Sequence, residues 1–116
     1  MRNGINKVTL VGNVGDAPKV NANGEAVNYA QFSLATNETY TDKEGKAVKR
    51  TEWHRIVAYN KPAEIIKAYV KKGDPLYVEG KLRTNNWEDK EGVKHATAEI
   101  VCDNFLMLSS KSDKAN

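Results

Sequence analysis

Alternation of apolar and polar residues along most of the chain is the feature that most limits its fold. Val8, Leu10 and Val14 lie on one side of a two-residue repeat, and polar residues such as Lys7 and Asn13 lie on the other. A two-residue repeat is the pattern of a half-buried β-strand. The repeat predicts strands over the following ranges: 5–14, 18–22 (a short one between two turns), 27–36, 51–59, 76–87 and 97–108. Gly12 and Gly15 interrupt the first strand and predict a bulge or a sharp bend there.

A single stretch has helical spacing instead. Ile65, Ile66, Tyr69 and Val70 follow Pro62, which suits a first helical turn, and Gly73 can stop the helix. One helix of about ten residues is expected, between the third and fourth long strands. Five long strands with that single helix favour an all-β, five-stranded Greek-key barrel of the OB type. The pattern alone also allows another small barrel or an α+β sheet.

The length of 116 residues predicts one domain. We place it at residues 1–108, because residues 109–116 (SSKSDKAN) contain no apolar side chain beyond alanine and are expected to be disordered. No apolar run reaches the ~20 residues of a membrane span. The N-terminus also has no signal-peptide core, so we expect a cytoplasmic protein without a membrane partner.

The polar stretch from Asn37 to about Arg50 is the longest segment without a repeat. The absence of a repeat predicts a long loop. Long loops inside compact domains are often functional. A flexible, solvated hairpin tip is the alternative. The segment is rich in lysine, and the whole chain carries a net charge of +3, which permits a polyanionic partner without requiring one.

Catalysis finds little support in the residues. The two histidines, His54 and His95, do not have metal-ligand spacing from each other or from Cys102, which reads as a small buried side chain. The acidic residues lie among lysines in polar turns, and no glycine-rich phosphate loop precedes a helix. We therefore expect no enzyme, no catalytic residue, no metal, no cofactor and no small-molecule substrate.

Aromatic residues interleaved with basic ones are more informative. An aromatic ring can stack on any base, while lysine and arginine follow the phosphates. Phe32, Tyr69 and Phe105 are interpreted as core residues because they lie on apolar faces. The rings that accompany basic residues or lie beside polar loops are Tyr40, Trp53, Tyr59 and Trp87. Burial of Trp53 stays open, because it shares a strand face with Val57.

Four blocks of the sequence, INKVTLVGNVG, FSLAT, TEWHR and YVEGKLRTNNW, resemble the bacterial and organellar single-stranded DNA-binding proteins. The resemblance runs from about Gly4 to Leu108. It implies an OB fold, no enzymatic activity, a homotetramer, and cooperative, sequence-tolerant wrapping of single-stranded DNA. The family acts in DNA replication, recombination and repair, so the resemblance implies those roles and a location at the nucleoid.

The resemblance also assigns residues. The stacking rings carry over to Tyr40, Trp53, Tyr59 and Trp87, and His54 matches a position at the family's subunit interface. Tyrosine stands at 40 and 59, where Trp and Phe are common, so stacking at Tyr40 is expected to be weaker. The implied phosphate contacts are Arg55, Lys61, Lys71, Lys72 and Arg83. Charge and loop position add Lys7, Lys43, Lys49 and Arg50.

Two departures from the family pattern matter. Thr84, Asn85 and Asn86 stand where the family often has basic residues, which predicts weaker phosphate contact along that hairpin. The family usually continues through a Gly/Pro/Gln-rich linker to an acidic tip ending in Pro-Phe, whereas this sequence stops at Asn116. The resemblance therefore does not carry the recruitment of replication and repair enzymes over to this chain.

Three rivals stay open at this point. The first is an accessory protein of the same fold, such as a primosomal or RNA-binding variant. The second is an oligomeric scaffold whose aromatic residues fill subunit interfaces. The third is a metal-dependent nuclease that uses the carboxylates of the turns.

Overall fold

The computed structural model describes residues 4–23 and 26–108. The prediction of disorder for residues 109–116 lies outside that part of the chain. The elements, in order, are β1 (Val8–Val14), β2 (Lys19–Asn23), β3 (Ala26–Thr41), β4 (Ala47–Tyr59), α1 (Lys61–Tyr69), β5 (Pro75–Glu88) and β6 (Lys94–Met107). In the described part of the chain, α1 is too short to cross a membrane.

The strands form one sheet in the order β1-β5-β6-β4-β3-β2, and a further pairing of β1 with β3 closes it. The predicted five-stranded barrel with a single helix is thereby confirmed, and β2 extends the edge of β3. Closure depends on Gly12: a Cβ at this position would run into the carbonyl of Ala35, so only glycine lets β1 and β3 approach there. Gly12 keeps regular register with Leu76 on β5, and the pairing of β1 with β3 begins at the next two residues, Asn13 and Val14.

The barrel interior is filled by the apolar side of the two-residue repeat. Leu34, Ile56, Leu76 and Val78 are completely buried. Helix α1 begins after Asn60, has Pro62 in its first turn, and packs mainly against β3. Its buried residues are Ala63 and Ile66, followed by Val70 just after the helix.

The prediction that Tyr69 is a core residue is wrong, since Tyr69 is 62% exposed. The positions that face the barrel are 63, 66 and 70, a spacing of three and four residues along one helix face. Tyr69 lies four residues after Ile65, which is also exposed, so these two share a different face. Phe105 does pack against the core as predicted, although it is only partly buried.

The predicted loop at 37–50 is instead the outer half of a β-hairpin, which we call arm 1 (residues 37–51). Pairing of β3 with β4 continues out to Thr41 and Ala47. A second projection, arm 2 (residues 81–98), is the outer half of the β5–β6 hairpin. No apolar repeat marks arm 1 because both of its faces meet solvent, and strand pairing itself needs only backbone hydrogen bonds.

The two arms end in the same turn, built from the sequence Asp-Lys-Glu-Gly at 42–45 and again at 89–92. In arm 1 the Oδ1 atom of Asp42 accepts the backbone N–H groups of Glu44 and Lys46, both at 2.9 Å. In arm 2 the Oδ1 atom of Asp89 accepts the N–H groups of Glu91 and Val93 at 2.9 and 3.0 Å. Each turn is therefore closed by its own aspartate.

Candidate nucleic-acid interface

Strand register places the predicted rings on the sheet. Residues directly opposite in paired strands share a face, and residues two apart along one strand share it too. On β4, Trp53, Arg55 and Tyr59 therefore lie on the same face. The pairing of Val57 with Val101 continues that face onto β6, and the pairing of Arg83 with Glu99 continues it onto β5. We call the set Trp53, Arg55, Tyr59, Arg83 and Trp87 the aromatic–basic face.

Trp53 lies at the base of arm 1 and is 60% exposed, so the structure does not bury it in the core. The ring leans over Gly15, where a Cβ atom would overlap it. A cleft beside the ring is lined by Asp16, Gln31 and Ser33 as well as by Arg55. One ring surface thus rests on the barrel while the rest is available to a planar ligand such as a base.

Arg55 and Arg83 converge on a carboxylate that sequence analysis missed. Glu99 is 3% exposed, and its two oxygens accept from Arg55 Nε at 3.3 Å and from Arg83 Nη2 at 2.6 Å. A buried carboxylate needs such partners because desolvation of an unpaired charge is costly. The two guanidinium groups stay half-exposed, so one net positive charge faces solvent between the rings.

The same guanidinium groups hold the neighbouring tyrosines. Arg83 Nη2 donates to the Tyr59 hydroxyl at 2.6 Å, and the guanidinium carbon lies 5.4 Å from the centre of the Tyr59 ring. The hydrogen bonds to Tyr59 and Glu99 raise the pKa of Arg83. Arg55 Nη2 donates to Gln31 at 2.6 Å, and Gln31 also accepts the hydroxyl of Tyr29. Burial raises the pKa of Tyr29, although the positive charge of Arg55 acts in the opposite direction.

Trp87 occupies the outer part of the aromatic–basic face, on arm 2, and is 46% exposed. Its indole N–H donates to the hydroxyl of Thr97 at 3.1 Å. His95, directly opposite on β6, stacks against it. Sequence analysis treated His95 only as a non-ligand, and no repeat or spacing shows that it meets Trp87.

Tyr40 is the predicted ring that the structure does not bring onto this face. It is 49% exposed near the end of arm 1, opposite Val48, and two-residue spacing puts it on the other side of the hairpin from Trp53. Arg50 shares that other side, whereas Lys49 shares the side of Trp53. Tyr40 could therefore meet a strand that passes around arm 1, not one that stays on the aromatic–basic face.

The remaining predicted cations have different surroundings. Exposed positions on arm 1 or at the two ends of α1 are occupied by Lys43, Lys49, Arg50, Lys61, Lys71 and Lys72. Lys7 precedes β1 and forms an ion pair with Glu79 at 3.5 Å, which places it at the β1–β5 edge and away from the arms. His54 is half-buried, and its Nε2 atom lies 2.9 Å from the hydroxyl of Thr36.

The described residues contain no cluster of three or more His, Cys, Asp or Glu side chains that could hold a metal ion. Cys102 is buried as predicted, and burial raises the pKa of its thiol to about 11. The paired carboxylates of the turns bind backbone N–H groups of their own loops, as described for Asp42 and Asp89. The groups that the aromatic–basic face presents to solvent are aromatic rings and guanidinium groups.

Comparison with known proteins agrees with the resemblance. The family model described as "Single-strand binding protein family" matches residues 5–108. Single-stranded DNA-binding protein 1 of Chlorobaculum tepidum is 44% identical over 112 residues, which is 96% of this chain and 69% of that protein. The single-stranded DNA-binding protein of Neisseria meningitidis is 41% identical over 113 residues, 96% of this chain and 64% of that protein.

Two solved structures share the fold. A Plasmodium falciparum SSB complex with ssDNA has a TM-score of 0.82 and 31% identity, covering 94% of this chain and 99% of that one. A deletion mutant of the single-stranded DNA binding protein from Thermus aquaticus has a TM-score of 0.78 and 24% identity, covering 97% of this chain and 54% of that one. These neighbours confirm the predicted OB fold. The chain belongs to the single-strand binding protein family, whose members are binding proteins and not enzymes.

Proposed function

We propose that this chain binds and protects single-stranded DNA without sequence preference, as a homotetramer, during DNA replication, recombination and repair in the cytoplasm. The observation that carries the proposal is the aromatic–basic face, which interleaves exposed rings with guanidinium groups on β4 and β5, the two strands that flank β6. Sequence-independent binding of a single strand needs this combination, since every base has a stacking surface and every nucleotide a phosphate.

In the proposed complex, bases stack on Trp53, Tyr59 and Trp87, and the strand continues around arm 1 to Tyr40. Arg55 and Arg83 meet phosphates between the stacked bases. Exposed cations on arm 1 and at the two ends of α1 extend the phosphate path: Lys43, Lys49, Arg50, Lys61, Lys71 and Lys72. Lys7 is the weakest member of the set, because Glu79 already neutralises it.

The homotetramer is proposed from the family resemblance and from an apolar row on the outside of the barrel. Val11, Tyr77 and Leu106 lie opposite one another on β1, β5 and β6. Val11 is 57% exposed and Leu106 is 58% exposed. Contiguous apolar side chains on a sheet exterior are typical of a surface that another subunit covers. We also place His54 at a subunit interface.

A tryptophan-fluorescence titration tests DNA binding. We expect quenching by oligo(dT) and none by a duplex of equal length, with a salt dependence that counts the phosphate contacts. Trp87→Ala should weaken binding by about 1–3 kcal/mol, the value of one stacked base. Leu82→Ala is the matched control: it removes an apolar side chain that is 51% exposed and lies on the opposite side of β5 from Arg83 and Trp87, and it should leave affinity unchanged.

Sedimentation of the same variants separates binding from scaffolding. Trp87→Ala should lose affinity and keep its subunit number, whereas Leu106→Glu should lower the subunit number. Dissociation of Trp87→Ala would instead support the scaffold hypothesis. Equal affinity for duplex and single strand would contradict the proposed function.

A further inference from the structure

The two broad faces of Trp87 are not equivalent. The His95 ring stacks against one of them, with ring centres 4.3 Å apart and planes 20° apart. The indole edge is held as well, since its N–H donates to Thr97 at 3.1 Å. A base can therefore reach only the face that His95 leaves open, and the ring meets it in a fixed orientation.

The hairpin turn at the end of arm 2 holds His95. Its Nε2 atom lies 2.9 Å from Asp89 Oδ2. The other oxygen of Asp89, Oδ1, accepts the backbone N–H groups that close the turn. Asp89 thus links the turn to the imidazole through hydrogen bonds, and the imidazole in turn stacks on the indole. The hydrogen bond to His95 is the main reason that the pKa of Asp89 is lowered, with the turn N–H groups adding to it.

We propose that His95 is a positioning residue for Trp87 and that its protonation strengthens the binding of single-stranded DNA at that ring. This inference rests on the proposed function. It adds a residue with no assigned role, and it gives arm 2 a pH response. The positioning part follows from preorganisation, because a ring already held in its bound orientation loses less conformational freedom when a base stacks on it.

The direction of the pH response follows from charge. Histidine is the side chain whose charge ordinarily changes between about pH 5 and 8. An imidazolium against the indole face gains a cation–π interaction and a stronger hydrogen bond to the Asp89 carboxylate. It also places a positive charge beside the path of the phosphates. Single-stranded DNA should therefore bind more tightly as the pH falls through this range.

The other charged groups around the ring pair are on the same hairpin. Glu88 and Lys94 lie opposite each other at the end of arm 2 and flank the surface that Trp87 and His95 line. Glu88 and Asp89 contribute carboxyl groups, with the pKa of Asp89 lowered as described, and Lys94 contributes an amine. Among the described residues that line this surface, His95 is the only one with an imidazole ring.

The first test uses the protein without DNA. The chain has two tryptophans, so Trp53→Phe leaves Trp87 as the sole indole fluorophore. Because a stacked imidazolium quenches indole fluorescence, we expect the emission of this variant to fall between about pH 8 and pH 5.5. Adding His95→Phe, which keeps a ring but cannot titrate, should abolish the transition. If the emission of Trp53→Phe does not change with pH, the stacking of His95 on Trp87 is contradicted.

The second test measures affinity for oligo(dT) at the same two pH values. With His95 present, binding should be about three- to tenfold tighter at the lower pH. His95→Phe should match the parent at about pH 8 and lose the pH effect. His95→Ala should also lose the pH effect, and at about pH 8 it should bind about threefold more weakly than the parent.

The outcomes distinguish this inference from the function on which it rests. A pH effect that survives in His95→Phe overturns the assignment to His95. Equal affinity of His95→Ala and the parent at about pH 8 overturns the positioning role. Absence of single-strand binding in every variant overturns the proposed function, while the fluorescence transition still decides whether the ring pair exists.

Discussion

The barrel and the two arms are built from the same strands but obey different rules. Within the barrel each strand has one side buried, and Leu34, Ile56 and Leu76 are completely enclosed. Beyond Thr36 on β3 and Gly80 on β5, nearly every side chain is exposed on both sides. Burial stabilises the first region, whereas backbone pairing and two aspartate turns hold the second. Stability and binding therefore depend on different side chains, and on β4 the buried Ile56 and Ala58 alternate with Arg55 and Tyr59 of the aromatic–basic face. Substitutions can address one set without the other.

The largest expected effect is on barrel stability. Ile66→Ala removes a fully buried side chain from α1 and should lower the free energy of unfolding by about 2–5 kcal/mol. The neighbouring substitution Ile65→Ala, at a position 39% exposed, should cost far less. Urea denaturation of both variants checks this. Affinity of the folded Ile66→Ala protein for oligo(dT) should stay unchanged, and a loss of affinity would break the separation.

Glu99 lies where the two regions meet, so its substitution should affect both. Glu99→Gln removes the buried charge that Arg55 and Arg83 share and should lower stability by about 1–3 kcal/mol. It should also weaken DNA binding, because the two guanidinium groups lose their common anchor. Denaturation and titration of one preparation measure both effects. Glu38→Gln, an exposed glutamate opposite Arg50 on arm 1, is the matched control and should change stability little.

Gly15 is a barrel residue whose substitution should act on binding. In Gly15→Ala the added Cβ would occupy the place of the Trp53 ring, which must swing away from the barrel. Loss of this support should weaken binding of oligo(dT) by about three- to tenfold, part of the value of one stack. Gly4→Ala, where a Cβ meets no atom within 4 Å, should have no effect. Unchanged affinity in Gly15→Ala would mean that binding at Trp53 does not depend on the packing of its ring over Gly15.

The smallest effect concerns a chemical probe of the core. Burial raises the pKa of the Cys102 thiol to about 11, so the thiol stays neutral below that pH. At about pH 8 only ~0.1% would be the reactive thiolate. An aromatic disulfide reagent should therefore label native protein far more slowly than unfolded protein. In a Cys102→Ala background, Lys90→Cys places a thiol at the exposed end of arm 2 and should be labelled at once. Equal rates at the two sites would contradict the burial.

The barrel could be predicted from the sequence because one side of each of its strands is buried, so apolar and polar residues alternate along the strand. The same argument explains the failure at residues 37–50, where both faces of arm 1 meet water and no repeat distinguishes a strand from a loop. Tyr69 was misplaced because a nine-residue helix with apolar residues at 65, 66, 69 and 70 offers two candidate faces.

The sequence pointed to the rings of the candidate site but not to the residues that contact them and the two arginines. Exposure of Trp87 follows from its polar surroundings, whereas burial of Trp53 was left open because it shares a strand face with Val57. The partners Glu99, Gln31 and His95 were missed because they reach the aromatic–basic face from other strands, through pairings that local sequence does not reveal. For Glu99 there was a signal: a carboxylate between Ala98 and Ile100 in an apolar strand requires a buried cation.

Closure of the barrel has a consequence for how the chain folds. The β3–β4 and β5–β6 hairpins pair along almost their whole length through residues close in sequence. They are joined to each other by Ile56 with Ile100 and Val57 with Val101, and β1 meets β3 at Asn13 and Val14. Local hairpins form in about 1–10 μs, whereas such distant pairs must first close long loops. The seams should therefore form last, and the rate at which they form should set the folding time of the subunit.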